Sequence, residues 1–239
     1  MCGRFVLFTE SLLDHAGSLP GVEESHAPAG LPRPRYNIAP TQMVPVVRLD
    51  GATAVVEPGR WGLLPHWKKD LTGPPLFNAR AETVASKPSF RDAFKAREGS
   101  GRCLIPMDGY YEWHDDGSGK APYFVTLGEG KLMWAAGLWS SGLDQLSATI
   151  VTTDSAEPMD WLHDRLPRFL TEEEMRQWVE GTPEESAELL HPAPRELRGA
   201  FEVTKVDKAV GNVRNDYPEL LEPQRDLFSE DVSESGADN

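Results

Sequence analysis

Between residues 43 and 154 apolar positions either alternate with polar ones or run together in short blocks, the signature of strands rather than helices. MVPVVRL (43–49) and ATAVVEPGRWGLL (52–64) are separated by Asp50-Gly51, which predicts a β-hairpin. RCLIPMDGYYEW (102–113), PYFVTLGEGKLMWAAGLW (122–139, turning at Gly128–Gly130) and LSATIVTTD (146–154) read as further strands, and FEVTKV (201–206) as a late one. A helical period takes over at TESLLDHAG (9–17), with Thr9 as the cap, and at SFRDAFKAR (89–97), where Phe90 and Phe94 stand four apart. TEEEMRQWVEG (171–181) carries Thr171 and Glu174 at capping-box spacing, and PEESAELLH (183–191) follows it. The Pro- and Gly-rich stretch 18–35 and the Pro-punctuated stretch 66–83 read as irregular. Together these elements predict one α+β domain over residues 2–228, a mixed, barrel-like β-sheet with peripheral helices. The polar, acidic segment 229–239 is expected to be a disordered tail.

Composition narrows the class. With 239 residues, 39% apolar positions and seven Trp, the chain can bury a substantial core. No run of about 18 apolar residues is present, and the start lacks the basic-then-apolar layout of a signal peptide, so no membrane association and a cytoplasmic location are expected. Two cysteines, Cys2 and Cys103, are too few for a disulfide framework. The net charge of −14 argues at first against a polyanionic partner. The charge is uneven, however: residues 1–120 hold 14 basic and 14 acidic side chains, whereas 121–239 hold 10 and 24. An acidic C-terminal part can therefore coexist with a locally basic face that includes Arg4, Arg33, Arg35, Arg80 and Arg165.

The candidate chemistry begins at MCGRF. Methionine removal exposes a small second residue, which would leave Cys2 first, with thiol and α-amine on adjacent carbons. Reference pKa values of about 8.5 and 7.7–8.0 leave both groups partly nucleophilic at neutral pH. Such a 1,2-aminothiol condenses with an aldehyde, first as a Schiff base and then as a five-membered thiazolidine, and the closure is favoured because both nucleophiles are already joined. A terminal cysteine without a role is the plain alternative. Glu112, among Tyr110, Tyr111 and Trp113, is a general acid/base if it faces inward and a solvated strand residue if it faces out. His163 in WLHDRLP is a loop imidazole suited to proton transfer or to structure. Asn78 and Arg80 in FNARAET supply an orienting amide and a phosphate-binding guanidinium, with Glu82 as the obvious ion-pair partner of Arg80. No HExxH, CxxC or phosphate-binding Gly loop occurs, so no metal and no cofactor are expected. HDD at 114–116 reads as a charged hairpin tip, and Cys103 as core.

Six segments in order, MCGRF (1–5), RYNIAP (35–40), FNARAET (77–83), CLIPMDGYYEW (103–113), HDRLP (163–167) and AVGNVRN (209–215), closely resemble the SOS response-associated peptidase family, over roughly residues 2 to 220. The resemblance implies a protein that processes abasic sites in single-stranded DNA, with Cys2 forming a stable thiazolidine crosslink to the ring-opened sugar. It implies that Asn78 holds the terminus and the sugar, that Glu112 serves as acid/base in ring opening, Schiff-base steps and slow reversal, and that His163 stabilises the opened sugar or passes protons to its hydroxyl. It places Arg4, Asn37, Pro40, Trp67, Arg80 and Arg165 against DNA, with arginines on phosphates and Trp67 stacking at the lesion. The single Trp67, followed by Lys68, and Lys87 in SKPSF depart from the family pattern.

Two other readings use the same residues differently. A cysteine (auto)peptidase would employ Cys2, Glu112 and His163 on a peptide bond, although a mature N-terminal cysteine leaves little chain upstream to cut. A non-catalytic single-stranded DNA or protein-binding module would leave Cys2 incidental and use the acidic C-terminal part to recruit a basic partner. A monomer is the expectation for each.

Overall fold

The computed structural model describes residues 2–97, 99–117, 119–128 and 130–224. The expected domain end at residue 228 and the tail from 229 lie outside the described residues. In chain order the elements are β1 (Phe5–Leu7), α1 (Leu12–Gly17), β2 (Glu24–His26), β3 (Arg35–Ile38), β4 (Met43–Asp50), β5 (Thr53–Trp61), β6 (Asn78–Arg80), α2 (Ala81–Val84) and α3 (Arg91–Phe94). They continue with β7 (Ser100–Met107), β8 (Gly109–Asp115), β9 (Lys120–Thr126), β10 (Met133–Ser140), β11 (Ser147–Asp154), β12 (Arg165–Pro167), α4 (Glu172–Glu180), α5 (Pro183–Ala187), α6 (Arg195–Gly199) and β13 (Glu202–Lys205).

The strands make two sheets. One has the order β13-β9-β8-β1-β3; the other runs β12-β11-β10-β7-β4-β5-β2, with β6 added against β11. A parallel contact between β11 and β5, with Ser147 opposite Arg60 and Ala148 opposite Trp61, bends β5-β4-β7-β10-β11 into a ring. The protein is thus a mixed α+β domain with a ring-like strand arrangement and short helices outside it, as the hydrophobic pattern predicts. The β4–β5 hairpin forms at the expected turn, where Gly51 takes a positive φ of 58°.

The stretch 102–113 differs from a single strand. It breaks at Asp108, so that β7 belongs to the ring and β8 to the five-stranded sheet. The backbone N–H of Asp108 donates to Val6 O at 3.0 Å, and its carboxylate accepts the Phe8 and Thr9 N–H groups at 2.6 and 3.0 Å. Those bonds satisfy groups that a strand crossover leaves exposed; α1 starts after Ser11 rather than after Thr9. Gly109 follows because a Cβ there would lie 2.5 Å from the Phe124 ring and from Val125 O. Likewise the turn at 128–130 is present, but the strands flanking it, β9 and β10, join different sheets.

The ring and its flank enclose the main core. Phe5 meets Trp61 edge-on at 4.9 Å, and Trp61 meets Phe77 at 5.9 Å. α4 forms where predicted: the Thr171 N–H donates to Glu174 at 3.0 Å, and the apolar face places Trp178 on the ring, its indole N–H shared between Cys103 O and Gly137 O at 3.1 and 3.2 Å. β1, β2, β3, β6, β12, α2 and α6 lie in stretches where no element was predicted; all are three to five residues long, too short to show a period. No helix among the described residues is long and apolar enough to cross a membrane.

Candidate active site

The N-terminal segment enters beside β8. Phe5 pairs with Tyr110 and Val6 with Gly109, and the Tyr111 N–H donates to Arg4 O at 2.9 Å, which draws residues 2–4 along the strand that carries Glu112. Cys2 is fully buried, with only a long 3.9 Å contact from its thiol to Arg4 O. Its backbone carbonyl accepts the Asn78 side-chain N–H at 2.8 Å, so the first two candidate residues, 76 positions apart, are joined directly. The Asn78 Oδ1 is buried and has no hydrogen-bond partner among the described residues.

The orientation of Glu112 is settled by the sheet. Tyr110 and Glu112 share one face of β8 and Tyr111 and Trp113 the other, by the two-residue alternation of a strand. Glu112 is buried at 5% exposure, and its Oε1 accepts the Trp113 N–H at 3.2 Å. The Glu112 carboxylate acts on the Cys2 thiol: burial first, and this neighbouring charge second, push the thiol up to about 12. At neutral pH Cys2 is therefore an uncharged thiol.

β11 brings the remaining candidates to one end of the ring. Thr152 on β11 is opposite Arg80 of β6 on one edge and Pro167 of β12 on the other. The same stretch of strand thereby holds FNARAET on one side and HDRLP on the other, which explains why neither segment shows a strand period of its own. The His163 Nδ1 accepts the Arg165 N–H at 2.9 Å. Asp164 Oδ1 lies 2.6 Å from the same Nδ1. The preceding carbonyl, Leu162 O, lies 3.3 Å from His114 Nδ1, so the His163 loop is tied to the outer end of β8.

Of the six residues predicted to face DNA, the structure separates two groups. Trp67 is half exposed, Pro40 lies partly exposed just after β3, and Arg80 is exposed with no ion pair among the described residues. Arg4 is partly buried; its Nη1 donates to Asn37 Oδ1 and Val210 O, both at 2.7 Å, and its guanidinium lies 5.7 Å from the Trp113 ring. Asn37 and Arg165 are instead inside. Glu82 pairs with Arg165 rather than with Arg80: Arg165 Nη1 and Nη2 donate to its carboxylate at 2.8 and 3.1 Å, and Nη2 also reaches Thr152 O at 2.7 Å. The Asn37 Nδ2 faces the carbonyls of Val210, Asn212 and Asn215 at 3.1, 3.1 and 2.7 Å. AVGNVRN (209–215) is thus wrapped around the Asn37 amide and supplies the carbonyl that steers Arg4. The sequence carried no signal for that arrangement, because a carbonyl-binding loop needs no particular side chains. Tyr110, by contrast, was detectable two residues before Glu112 but reads there as an apolar neighbour.

Among the described residues no group of three or more His, Cys, Asp or Glu side chains is placed to hold a metal ion. At the HDD tip, Asp116 pairs with Lys205 at 2.6 Å.

A ring of strands that seats a buried residue-2 cysteine against a strand-borne carboxylate defines a recognisable class. The chain belongs to the SOS response associated peptidase (SRAP) family, whose profile matches residues 1–213. It is 36% identical over 232 residues to abasic site processing protein YoqW of Bacillus subtilis, covering 93% of this chain and 99% of that one. Abasic site processing protein YedK of Escherichia coli is 31% identical, with 93% and 100% covered. A solved phage-related protein of Bordetella bronchiseptica has the same fold, with a TM-score of 0.66 at 27% identity over 87% of this chain and 95% of that one.

Proposed function

We propose that the protein processes abasic sites in single-stranded DNA by crosslinking to them through Cys2 once Met1 has been removed. The observation that carries this reading is the joining of Cys2, by its carbonyl, to Asn78 beside the buried Glu112 carboxylate. An anchored carbonyl fixes where the freed α-amine and thiol point, which is the positioning that an intramolecular two-step condensation requires.

The chemistry follows from that placement. The α-amine attacks C1′ of the ring-opened sugar, and the resulting carbinolamine loses water to give a Schiff base. The Cys2 thiol then adds to the C=N bond; carbon gains sulfur, nitrogen gains the proton, and aminothiol plus aldehyde become thiazolidine plus one water. Glu112 moves these protons, accepting from the thiol and returning to nitrogen, and the reverse route opens the ring again. A thiol held near 12 is uncharged at neutral pH, so it needs a base at hand at the moment of addition. His163 holds a hydroxyl of the opened sugar through Nε2, and the buried Asn78 Oδ1 accepts an N–H from the new terminus.

Arg80 and Arg4 neutralise phosphates on either side of the lesion, and Trp67 stacks on the base exposed by it. Asn37 and Arg165 serve these contacts indirectly: the first orients Arg4, and the second takes Glu82 as its hydrogen-bonded partner. Such backbone and stacking contacts suit a lesion with no base edge to read.

Intact mass spectrometry after incubation with an abasic oligonucleotide tests the reading. The expected species is protein lacking Met1 plus DNA minus one water, absent in Cys2→Ala and in a chain extended at its N-terminus. No adduct with wild type, or the same adduct from the extended chain, refutes it.

A further inference from the structure

Tyr110 is among the largest fully buried side chains, at 1% exposure, yet its hydroxyl has no hydrogen-bond partner among the described residues. A buried hydroxyl without a partner is unfavourable by an amount comparable to a lost hydrogen bond, and natural cores avoid it. The ring explains only the apolar part: it packs 5.7 Å from Phe169 and belongs to the same buried cluster as Cys2. A phenylalanine would satisfy that packing. The Tyr110 side chain lies on the face of β8 that carries Glu112. The hydroxyl thus shares a buried cluster with Cys2 and a strand face with Glu112, and is hydrogen-bonded to neither.

Resting on the covalent reading above, we infer that Tyr110 is a further residue of the reaction, its O–H donating a hydrogen bond to the sugar oxygen on C1′ as the Cys2 amine attacks. In that step the amine's lone pair forms the N–C bond and the C=O pair moves onto oxygen. One proton travels from nitrogen by way of Glu112 to that oxygen, giving the carbinolamine hydroxyl, and the second nitrogen proton follows the same route, so that the oxygen leaves as water and the C=N bond forms, while Tyr110 keeps its own proton throughout. A donor already aimed at the position where charge develops stabilises the transition state without reorganising. Burial above all raises the phenol well above its ordinary range, so it stays protonated and a donor over the whole working pH.

The test is Tyr110→Phe, compared with wild type in single-turnover crosslinking at saturating abasic oligonucleotide. A second oligonucleotide carrying a tetrahydrofuran analogue, which has no aldehyde, reports noncovalent affinity. The expected result is a rate lower by about tenfold to a hundredfold, the range for a hydrogen bond to a charging group, with analogue affinity unchanged and a thermal midpoint equal to or above wild type. The same factor should appear with glycolaldehyde, which has the reacting group and no DNA. A rate within twofold of wild type, or a loss of analogue affinity that matches the loss of rate, overturns the assignment while leaving the covalent reading intact. A wild type that forms no adduct sinks the covalent reading and this inference with it.

Discussion

Asn37→Ala is the substitution whose consequence is most closely determined by the geometry. The side chain is fully buried; its two N–H hydrogens are shared by three loop carbonyls, and its oxygen takes the Arg4 guanidinium at 2.7 Å. Truncation removes about two neutral hydrogen bonds at roughly 1 kcal/mol each and one charged bond at about 1.5–3 kcal/mol, for a total of about 3–5 kcal/mol. That is a large share of the roughly 5–15 kcal/mol that holds a domain together. With a urea m-value of about 2–3 kcal/mol/M, the unfolding midpoint should fall by about 1.5 M. Asn37→Asp sharpens the test, since it keeps a partner for Arg4 but loses both donors and turns a negative charge on three carbonyls. It should be no more stable than Asn37→Ala. A loss below 1 kcal/mol for the alanine variant, or wild-type stability for the aspartate variant, refutes the reasoning. Weaker DNA binding at unchanged stability would instead make Asn37 a direct contact.

Glu112→Gln keeps the shape and removes the proton carrier, so adduct formation and reversal should both slow by about 10²–10⁴-fold, measured by quenched-flow gels and by strand exchange; two unchanged rates would remove Glu112 from the mechanism. Trp67→Ala should weaken binding to the tetrahydrofuran oligonucleotide by about 1–3 kcal/mol and leave the saturated crosslinking rate alone; normal affinity would place the stacking surface elsewhere. The Cys2 thiol, held at about 12 by burial and by Glu112, binds its proton more tightly than it does in the unfolded chain. Its contribution to stability is therefore complete below about pH 9 and is lost as pH rises from there through 12. The urea midpoint of wild type should fall between pH 8 and 10.5 more steeply than that of Cys2→Ala, and equal slopes would contradict the assigned environment.

The legible parts of this protein were those with a period or a local chemical rule. The β4–β5 hairpin follows from alternation around Asp50-Gly51, and α4 follows from Thr171, Glu174 and an apolar face. The break at Asp108 was not legible in RCLIPMDGYYEW, because one continuous apolar run fits a single strand and two strands equally well. What decides is the N-terminal segment, a hundred residues away in sequence, whose Phe8 and Thr9 N–H groups bind the Asp108 carboxylate. The expected Arg80–Glu82 pair shows the same limit: adjacency in sequence favours it, but β11 sets Arg165 within reach of Glu82 and leaves Arg80 exposed.

The sequence by itself determined the reactive groups: a cysteine able to become the first residue, a carboxylate among aromatics, and six segments in a family's order. Tertiary structure alone decided which way Glu112 faces, which arginines remain open to a phosphate, and that Cys2 and Asn78 touch. The difference is one of range. Residue type and short spacing fix intrinsic chemistry and local periodicity, whereas burial, charge proximity and hydrogen-bond partners depend on segments that only sheet pairing brings together.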